Sequence, residues 1–297
     1  MSSVTVIQGD CLEYMATMAA GSVAAVVTSP PYNLGKPYPT YDDDRPLDEY
    51  LADQSKAAEQ IRRLLKPGGH LFLNAGWNSK HPARMVEVML AFSQHLTLQQ
   101  PIYCTKSAAF DGSSLPKDLR AAMHDRQVGH FVSVNSKFFL NPTAEMIWHF
   151  SPTGRSPIDR LAIGVPYVWA DQPARFGHHR ELHCRGTTWH IPYKTTQSRA
   201  DRDHHPSPFP VALPERCLKL AGLKPGDLVL DPFMGTGATL LAAQQLGIDA
   251  IGIELDPGFC AAARRRLGQT EEIPDAAQAL GRREPCASPD SAHDIKE

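Results

Sequence analysis

Residues 228–239 read Leu228-Val229-Leu230-Asp231-Pro232-Phe233-Met234-Gly235-Thr236-Gly237-Ala238-Thr239. Three apolar residues make a short buried strand, and residues 239–246 make a helix. The run Asp249-Ala250-Ile251-Gly252-Ile253-Glu254 makes a second strand that ends in an acid. Strand, loop, helix and strand in that order predict two parallel strands joined by a crossover. Gly235 and Gly237 allow the backbone to turn tightly and a ligand to approach closely. The third glycine of a dinucleotide fingerprint is absent, because Leu240 stands in its place. Asp231 repels a pyrophosphate and welcomes an amine. Glu254 lies about twenty residues beyond the loop, the spacing used to grip ribose hydroxyls. The pattern selects an adenosine ligand carrying a positive amine and argues against nicotinamide oxidoreductases.

On the amino-terminal side, residues 213–221 predict a helix with Pro214 in its first turn, followed by a turn at residues 224–227. On the carboxyl-terminal side, residues 259–267 predict a helix whose last turn carries Arg264, Arg265 and Arg266. Residues 270–297 read as a disordered tail.

A second motif lies some two hundred residues upstream, at Val26-Val27-Thr28-Ser29-Pro30-Pro31-Tyr32-Asn33. A strand cannot continue through this run, because proline lacks the N–H that the ladder needs. The residue before each proline is held extended. Ser29 and the carbonyls of Ser29 and Pro30 therefore sit in a stiff turn beyond a strand's carboxyl end, where ligands bind in open α/β sheets. A hydroxyl, outward carbonyls and an aromatic face can hold a flat ring and accept hydrogens from its amino group.

The rest of the chain alternates strands (4–7, 23–27, 70–74, 101–104) with helices (11–18, 47–65, 85–92). This predicts a mostly parallel sheet covered on both faces. Asp10 is read either as the N-cap of the 11–18 helix or as a carboxylate facing a ligand amine. Residues 33–44 predict a mobile loop over the site, residues 66–69 a helix stop, and residues 145–150 an edge strand. Residues 105–135 read as irregular and polar.

Hydrophobic residues make up 42% of the 297 and charged residues 21%, which is a globular balance. The formal net charge of −2 means that any nucleic-acid affinity must come from a local patch. The six cysteines form no C-x-x-C pair, which argues for buried free thiols in a reducing cytosol and against a metal site. No apolar run reaches membrane-span length and no signal-peptide pattern opens the chain, so the expected setting is cytoplasmic.

Residues 151–205 break the alternation. They carry eight Lys or Arg against five Asp or Glu, a formal charge of +3, and six histidines without compact ligand spacing. Basic residues interleave with Trp169, Phe176, Trp189 and Tyr193, which suits a nucleic-acid surface. The expected DNA contacts are Arg155, Arg175, Arg180, Arg185, Lys194 and Arg199.

With both motifs in view, the chain resembles the S-adenosylmethionine-dependent amino-methyltransferases of DNA. Residues 231–237 resemble that family's cofactor loop and residues 28–32 its catalytic loop. The catalytic loop precedes the basic segment, which precedes the cofactor loop; this order is similar to the permuted β-type arrangement. The resemblance implies a permuted Rossmann-like α/β fold with a catalytic half at 1–150, a target-recognition region at 151–204 and a cofactor half at 205–270, with the tail at 271–297. It implies that Asp231, Phe233, Gly235, Thr236 and Gly237 surround the methionine part of S-adenosyl-L-methionine. It implies likewise that Glu254 binds the ribose, that Asp10 and Cys11 lie near the adenine, and that the 205–210 segment, with Pro206 and Phe209, closes over the methionine. Ser29, Pro30, Pro31 and Tyr32 form the catalytic turn, where the Ser29 hydroxyl and Pro30 carbonyl accept the hydrogens of a flipped-out base's amine and Tyr32 stacks on its ring. Serine at the first position goes, within the family, with cytosine N4; the rival is adenine N6. Remoter alternatives are a small-molecule or protein methyltransferase and a non-catalytic DNA-binding module. The implied partners are double-stranded DNA and a separate cognate restriction endonuclease, with the protein a monomer or homodimer.

Overall fold

The computed structural model describes residues 2–109, 127–129, 137–140, 142–167, 182–193 and 205–269. The strands are β1 (Val4–Gln8), β2 (Val23–Thr28), β3 (Leu65–Ala75), β4 (Thr97–Thr105), β5 (Ser107–Ala109), β6 (Gln127–Gly129), β7 (Ala144–Ser151), β8 (Val165–Pro166), β9 (Leu182–His183), β10 (Thr188–His190), β11 (Leu228–Asp231) and β12 (Asp249–Glu254). The helices are α1 (Cys11–Thr17), α2 (Leu47–Leu64), α3 (Arg84–Ser93), α4 (Ala212–Leu220), α5 (Ala238–Gln245) and α6 (Pro257–Arg266).

Eight strands form one sheet in the order β1-β12-β11-β2-β3-β7-β4-β10. Every pairing is parallel except those of β7, which runs antiparallel to both β3 and β4. The strands β5–β6 and β8–β9 form two small antiparallel ribbons.

The sheet is buried on both faces, which is why its central strands read as unbroken apolar runs. All six residues of β2 are buried. Ala25 and Val27 pack with Leu213 and Cys217 of α4, Leu240 of α5 and Cys260 of α6. Val23 and Val26 pack on the other side with Met15 of α1, Ile61 of α2 and Phe92 of α3.

The chain runs from β11 through α5 to β12 in one direction along the sheet. It runs from β2 through α2 to β3 in the other. The order therefore reverses between β11 and β2, and the crevice beyond their carboxyl ends is the sheet's topological switch point.

Several expectations are corrected. Residues 144–151 are not an edge strand: β7 is paired on both sides, and Met146–Ser151 are buried. Residues 66–69 do follow a helix end, but they lie inside β3, where the β2–β3 register slips between Val23 and Ala25. Pro67 and Gly68, the latter at φ 79°, supply the irregular backbone of that bulge. Trp189 is not on the surface. Its place on β10 buries it in the core, with the Arg216 guanidinium 5.5 Å from its ring centre. Trp169, Phe176 and the tail at 270–297 lie outside the described residues. Among the described residues no His, Cys, Asp or Glu cluster could hold a metal, and no helix is long and apolar enough to cross a membrane.

Candidate active site at the switch point

Four strand ends converge on one cavity of about 240 Å³. Ser29, Pro30, Pro31 and Tyr32 enter it from the end of β2. Phe233, Gly235 and Thr236 come from the end of β11, Glu254 from β12, and Asp10 and Cys11 from β1. Phe209 joins them from the approach to α4. The proline turn and the glycine loop thus share a wall although about two hundred residues separate them in sequence.

Three expected residues stand elsewhere. Asp231 is fully buried one layer behind the cavity wall, where it accepts hydrogen bonds from Thr28 Oγ1 (2.7 Å) and the Phe233 amide (3.2 Å). Gly237 is the N-cap of α5. Pro206 is not on the wall, though its neighbours His205, Ser207 and Pro208 are.

The proline turn is held from below. Tyr50 on α2 donates to the Pro31 carbonyl at 2.8 Å. Arg84 on α3 donates to the carbonyls of Tyr32 (3.3 Å) and Asn33 (3.0 Å). Among the described residues, no donor reaches the carbonyl of Pro30. Ser29 Oγ lies 2.6 Å from the Tyr32 phenol oxygen. The Tyr32 ring lies against Gly76, where an added Cβ would meet its Cε2 at 3.0 Å.

The glycine loop takes its shape from two left-handed residues. Gly235 has φ 54° and Gly237 has φ 78°. A Cβ on Gly237 would sit 3.0 Å from that of Ala263 on α6. Gly252 on β12 leaves room for Met234 and Leu240 to pack against the strand.

The cavity's charge is acidic. Glu254 accepts the amides of Gly235 (2.8 Å) and Asp256 (2.9 Å). Burial still pushes its carboxyl above the ordinary range, with Asp256 adding to the effect. Burial also raises the Asp231 carboxyl, to about 6. One Asp231 oxygen, Oδ2, is buried without a hydrogen-bond partner among the described residues. Arg45, a cation on the wall, is engaged by Asp53 at 2.9 Å. Asp10 is the N-cap of α1, its Oδ1 accepting the amides of Leu12 (2.8 Å) and Glu13 (3.1 Å), and the residue also lines the cavity. Burial, then Asp10, pushes the Cys11 thiol up to about 12, so it stays protonated and unreactive.

The 33–44 loop is more firmly tied than its composition predicts. Asp43 accepts the amides of Asn33, Leu34 and Lys36. Asn33, at φ 55°, exchanges two hydrogen bonds with the Arg45 backbone. Asparagine tolerates this conformation because its side chain bonds locally. Tyr38 from this loop stands edge-on to His205, with ring centres 5.8 Å apart, and both line the cavity.

Tyr38 and Gln54 are wall residues that no motif marked, whereas His205 belongs to the 205–210 segment expected at the cofactor. Gln54 is a polar residue on the buried stripe of α2, 4% exposed, and its Oε1 has no hydrogen-bond partner among the described residues.

Of the expected DNA contacts, Arg155 is exposed and Arg185 donates to the Ile163 carbonyl at 2.9 Å. Arg175, Arg180, Lys194 and Arg199 lie outside the described residues. Tyr193 points into the protein and donates to Glu145 at 2.8 Å.

A doubly wound sheet with an acidic glycine loop beside a proline-stiffened turn at its switch point defines a nucleoside-binding α/β domain. Residues 23–265 match the DNA methylase family of N6 and N4 methyltransferases, and the chain belongs to that family. It is 27% identical over 281 residues to the type II methyltransferase M.BglII from Bacillus subtilis, covering 89% of this chain and 69% of that protein. It is 24% identical to the DNA adenine methyltransferase YhdJ of Escherichia coli K12, covering 89% and 82%. Among solved structures, the PvuII cytosine-N4-specific DNA methyltransferase superposes with a TM-score of 0.64 at 20% identity, covering 92% and 89%. The M1.HpyAVI–S-adenosylmethionine complex gives 0.51 at 17% identity, covering 89% and 99%.

Proposed function

We propose that the protein transfers a methyl group from S-adenosyl-L-methionine to the exocyclic N4 amine of a cytosine flipped out of duplex DNA. The observation that carries this reading is the shared wall. Ser29 and Pro30 line the same cavity as the acidic glycine loop and Glu254.

The residues present fit the cofactor. Its sulfonium and amine are cationic, and the cavity offers Asp10 and Glu254 with Asp231 behind them. Gly235 and Gly237 keep the loop clear of side chains where the methionine part would lie. Glu254 has lone pairs beyond the two amides it accepts, and these suit ribose hydroxyls. The cap uses Asp10 Oδ1, and Oδ2 would accept from an adenine amine. When bound, the cofactor supplies an electrophilic methyl group.

An exocyclic amine is a weak nucleophile because its lone pair is delocalised into the ring. Ser29 Oγ and the Pro30 carbonyl accept its two hydrogens, draw the nitrogen toward a tetrahedral shape and free the lone pair for in-line attack; once methylated, the nitrogen releases one of those hydrogens as a proton to solvent. Tyr32 offers its ring face to the base. The Pro31 and Tyr32 carbonyls are already bonded, whereas no donor among the described residues reaches that of Pro30. Arg155, with Arg175, Arg180, Lys194 and Arg199, would meet the phosphates.

Cytosine is chosen because serine opens the turn, a feature associated in this family with N4 methylation. The likeness to an adenine methyltransferase keeps adenine N6 as the second reading. Tritiated methyl transfer to duplex DNA tests the proposal. Wild-type protein labels DNA, and Ser29→Ala binds cofactor but loses transfer; undiminished transfer by Ser29→Ala contradicts the role given to Ser29.

A further inference from the structure

We propose that Gln54 reads the adenine edge of S-adenosyl-L-methionine, its carboxamide accepting from the ring's amine and donating to an adjacent ring nitrogen. The inference rests on the cofactor reading above. Gln54 lies on α2 and lines the cavity, yet it is only 4% exposed and its Oε1 has no hydrogen-bond partner among the described residues. A buried amide oxygen left unpaired costs stability, and its place on the cavity wall points to a ligand that completes it. The polar side chains next to it on the helix are committed elsewhere. Tyr50 donates to the Pro31 carbonyl, Asp53 accepts from Arg45 and Lys56, and Ser55 donates to Gln94.

Helix geometry sets which end of the cavity Gln54 serves. α1 and α2 follow the parallel strands β1 and β2, so both start at the sheet's carboxyl edge and run back alongside each other. Near the end of α2, Arg63 donates to the Met18 carbonyl at the end of α1, at 2.8 Å. Met15 of α1 shares a buried cluster with Ala58 and Ile61 of α2. One turn back from Ala58 stands Gln54, and one turn back from Met15 stands Cys11. Gln54 therefore faces the corner formed by Asp10, Cys11 and Leu12, all of which line the cavity. The Tyr32 phenol turns the other way, to the Asn74 carbonyl on β3. The corner away from the catalytic turn is the place for the cofactor's base.

Adenine carries an amine with two hydrogens, and a ring nitrogen that accepts lies on either side of it. A carboxamide sets an acceptor beside a donor at matching spacing, the pairing by which glutamine and asparagine recognise adenine in DNA. Asp10 Oδ2 takes one hydrogen of the amine and Gln54 Oε1 the other, while Gln54 Nε2 donates to the ring nitrogen on its own side. The amine is then fully bonded, as a buried donor requires.

Calorimetric titration with two ligands tests the inference without DNA or turnover. One is S-adenosylhomocysteine, and the other is its 6-deamino analogue, in which hydrogen replaces the adenine amine. Gln54→Met keeps the side chain's bulk and removes both polar ends. It should bind S-adenosylhomocysteine about tenfold more weakly than the wild type does. It should bind the 6-deamino analogue only about twofold to threefold more weakly, because the bond to the amine is already gone. Gln54→Leu should show the same difference. Equal losses for the two ligands would mean a pocket merely disturbed, and they overturn the inference. Undiminished binding of S-adenosylhomocysteine overturns it as well, and a fall in kcat alongside assigns Gln54 to the target base. Thermal unfolding without ligand is a further check. Gln54→Met should melt at the wild-type Tm or above it, since an unpaired amide has been removed; a Tm lowered in both variants marks a structural amide and contradicts the proposal. If the wild type binds no S-adenosylhomocysteine, the cofactor reading fails and takes this inference with it. Cofactor binding that depends on Gln54, with no transfer to DNA, upholds the inference and refutes only the DNA reading.

Discussion

Thr28 Oγ1 donates to Asp231 Oδ1 at 2.7 Å, and this bond joins the strand carrying the proline turn to the strand carrying the glycine loop. Both residues are fully buried and lie 203 positions apart in sequence. Thr28→Val removes the donor and leaves an underbonded carboxylate in the interior. The expected loss of stability is about 1.5–3 kcal/mol. Thermal unfolding measures it, and cofactor titration should show weakened binding, because the loop hangs from Asp231 through the Phe233 amide.

Asp231 also gives the protein a pH signature. Burial pushes its carboxyl up to about 6 from an ordinary 3.8, against the opposing hydrogen bonds from Thr28 and the Phe233 amide. Between those values the folded cofactor-free protein holds a proton that the unfolded chain releases. This contribution to stability is present in full below about pH 4 and is lost as pH rises through about 6. Asp231→Asn removes that trend from the unfolding curves. Cofactor binding runs the other way: a proton on Asp231 competes with the cofactor's positive charge, so affinity falls roughly tenfold between pH 7 and 5. Calorimetric titration at the two pH values checks the sign.

Gly237→Ala tests the loop's shape. The residue sits at φ 78°, and its Cβ would meet Ala263 at 3.0 Å. Left-handed backbone costs a non-glycine residue about 1–2 kcal/mol. The variant should unfold at lower temperature and bind cofactor more weakly, as measured by thermal shift with and without S-adenosylmethionine.

Asp43→Ala unties three amides of the 33–44 loop at once. Limited proteolysis should then cut within residues 34–42 faster than in the wild type, while unfolding of the sheet core changes little. An unchanged cleavage rate would mean that the loop is held by its tyrosine contacts instead.

The fold was readable where local chemistry and tertiary setting agree. The strand, glycine loop, helix and acid at 228–254 are each dictated by residues within the segment, and α5 and β12 form within about a residue of expectation. Asp10 was legible for the same reason, because a cap is a local bond. What failed depended on distant partners. Nothing within 144–151 says that β4 will pair on its far side, so an interior strand read as an edge. Trp189 lies among basic residues in sequence, yet β10 carries it into the core. The hydrogen bonds that tie the 33–44 loop were not legible either, because Asp43 and Arg45 bond to residues seven to twelve positions away. Tyr38 and His205 meet at the cavity only after folding.

The central claim is that a donor methyl and an everted cytosine meet between Ser29 and the glycine loop. Its most direct test is mass analysis of nucleosides from duplex DNA incubated with the protein and S-adenosylmethionine. The account predicts N4-methylcytosine, abolished by Ser29→Ala. N6-methyladenine without N4-methylcytosine, or DNA with no methylated amine at all, would contradict it.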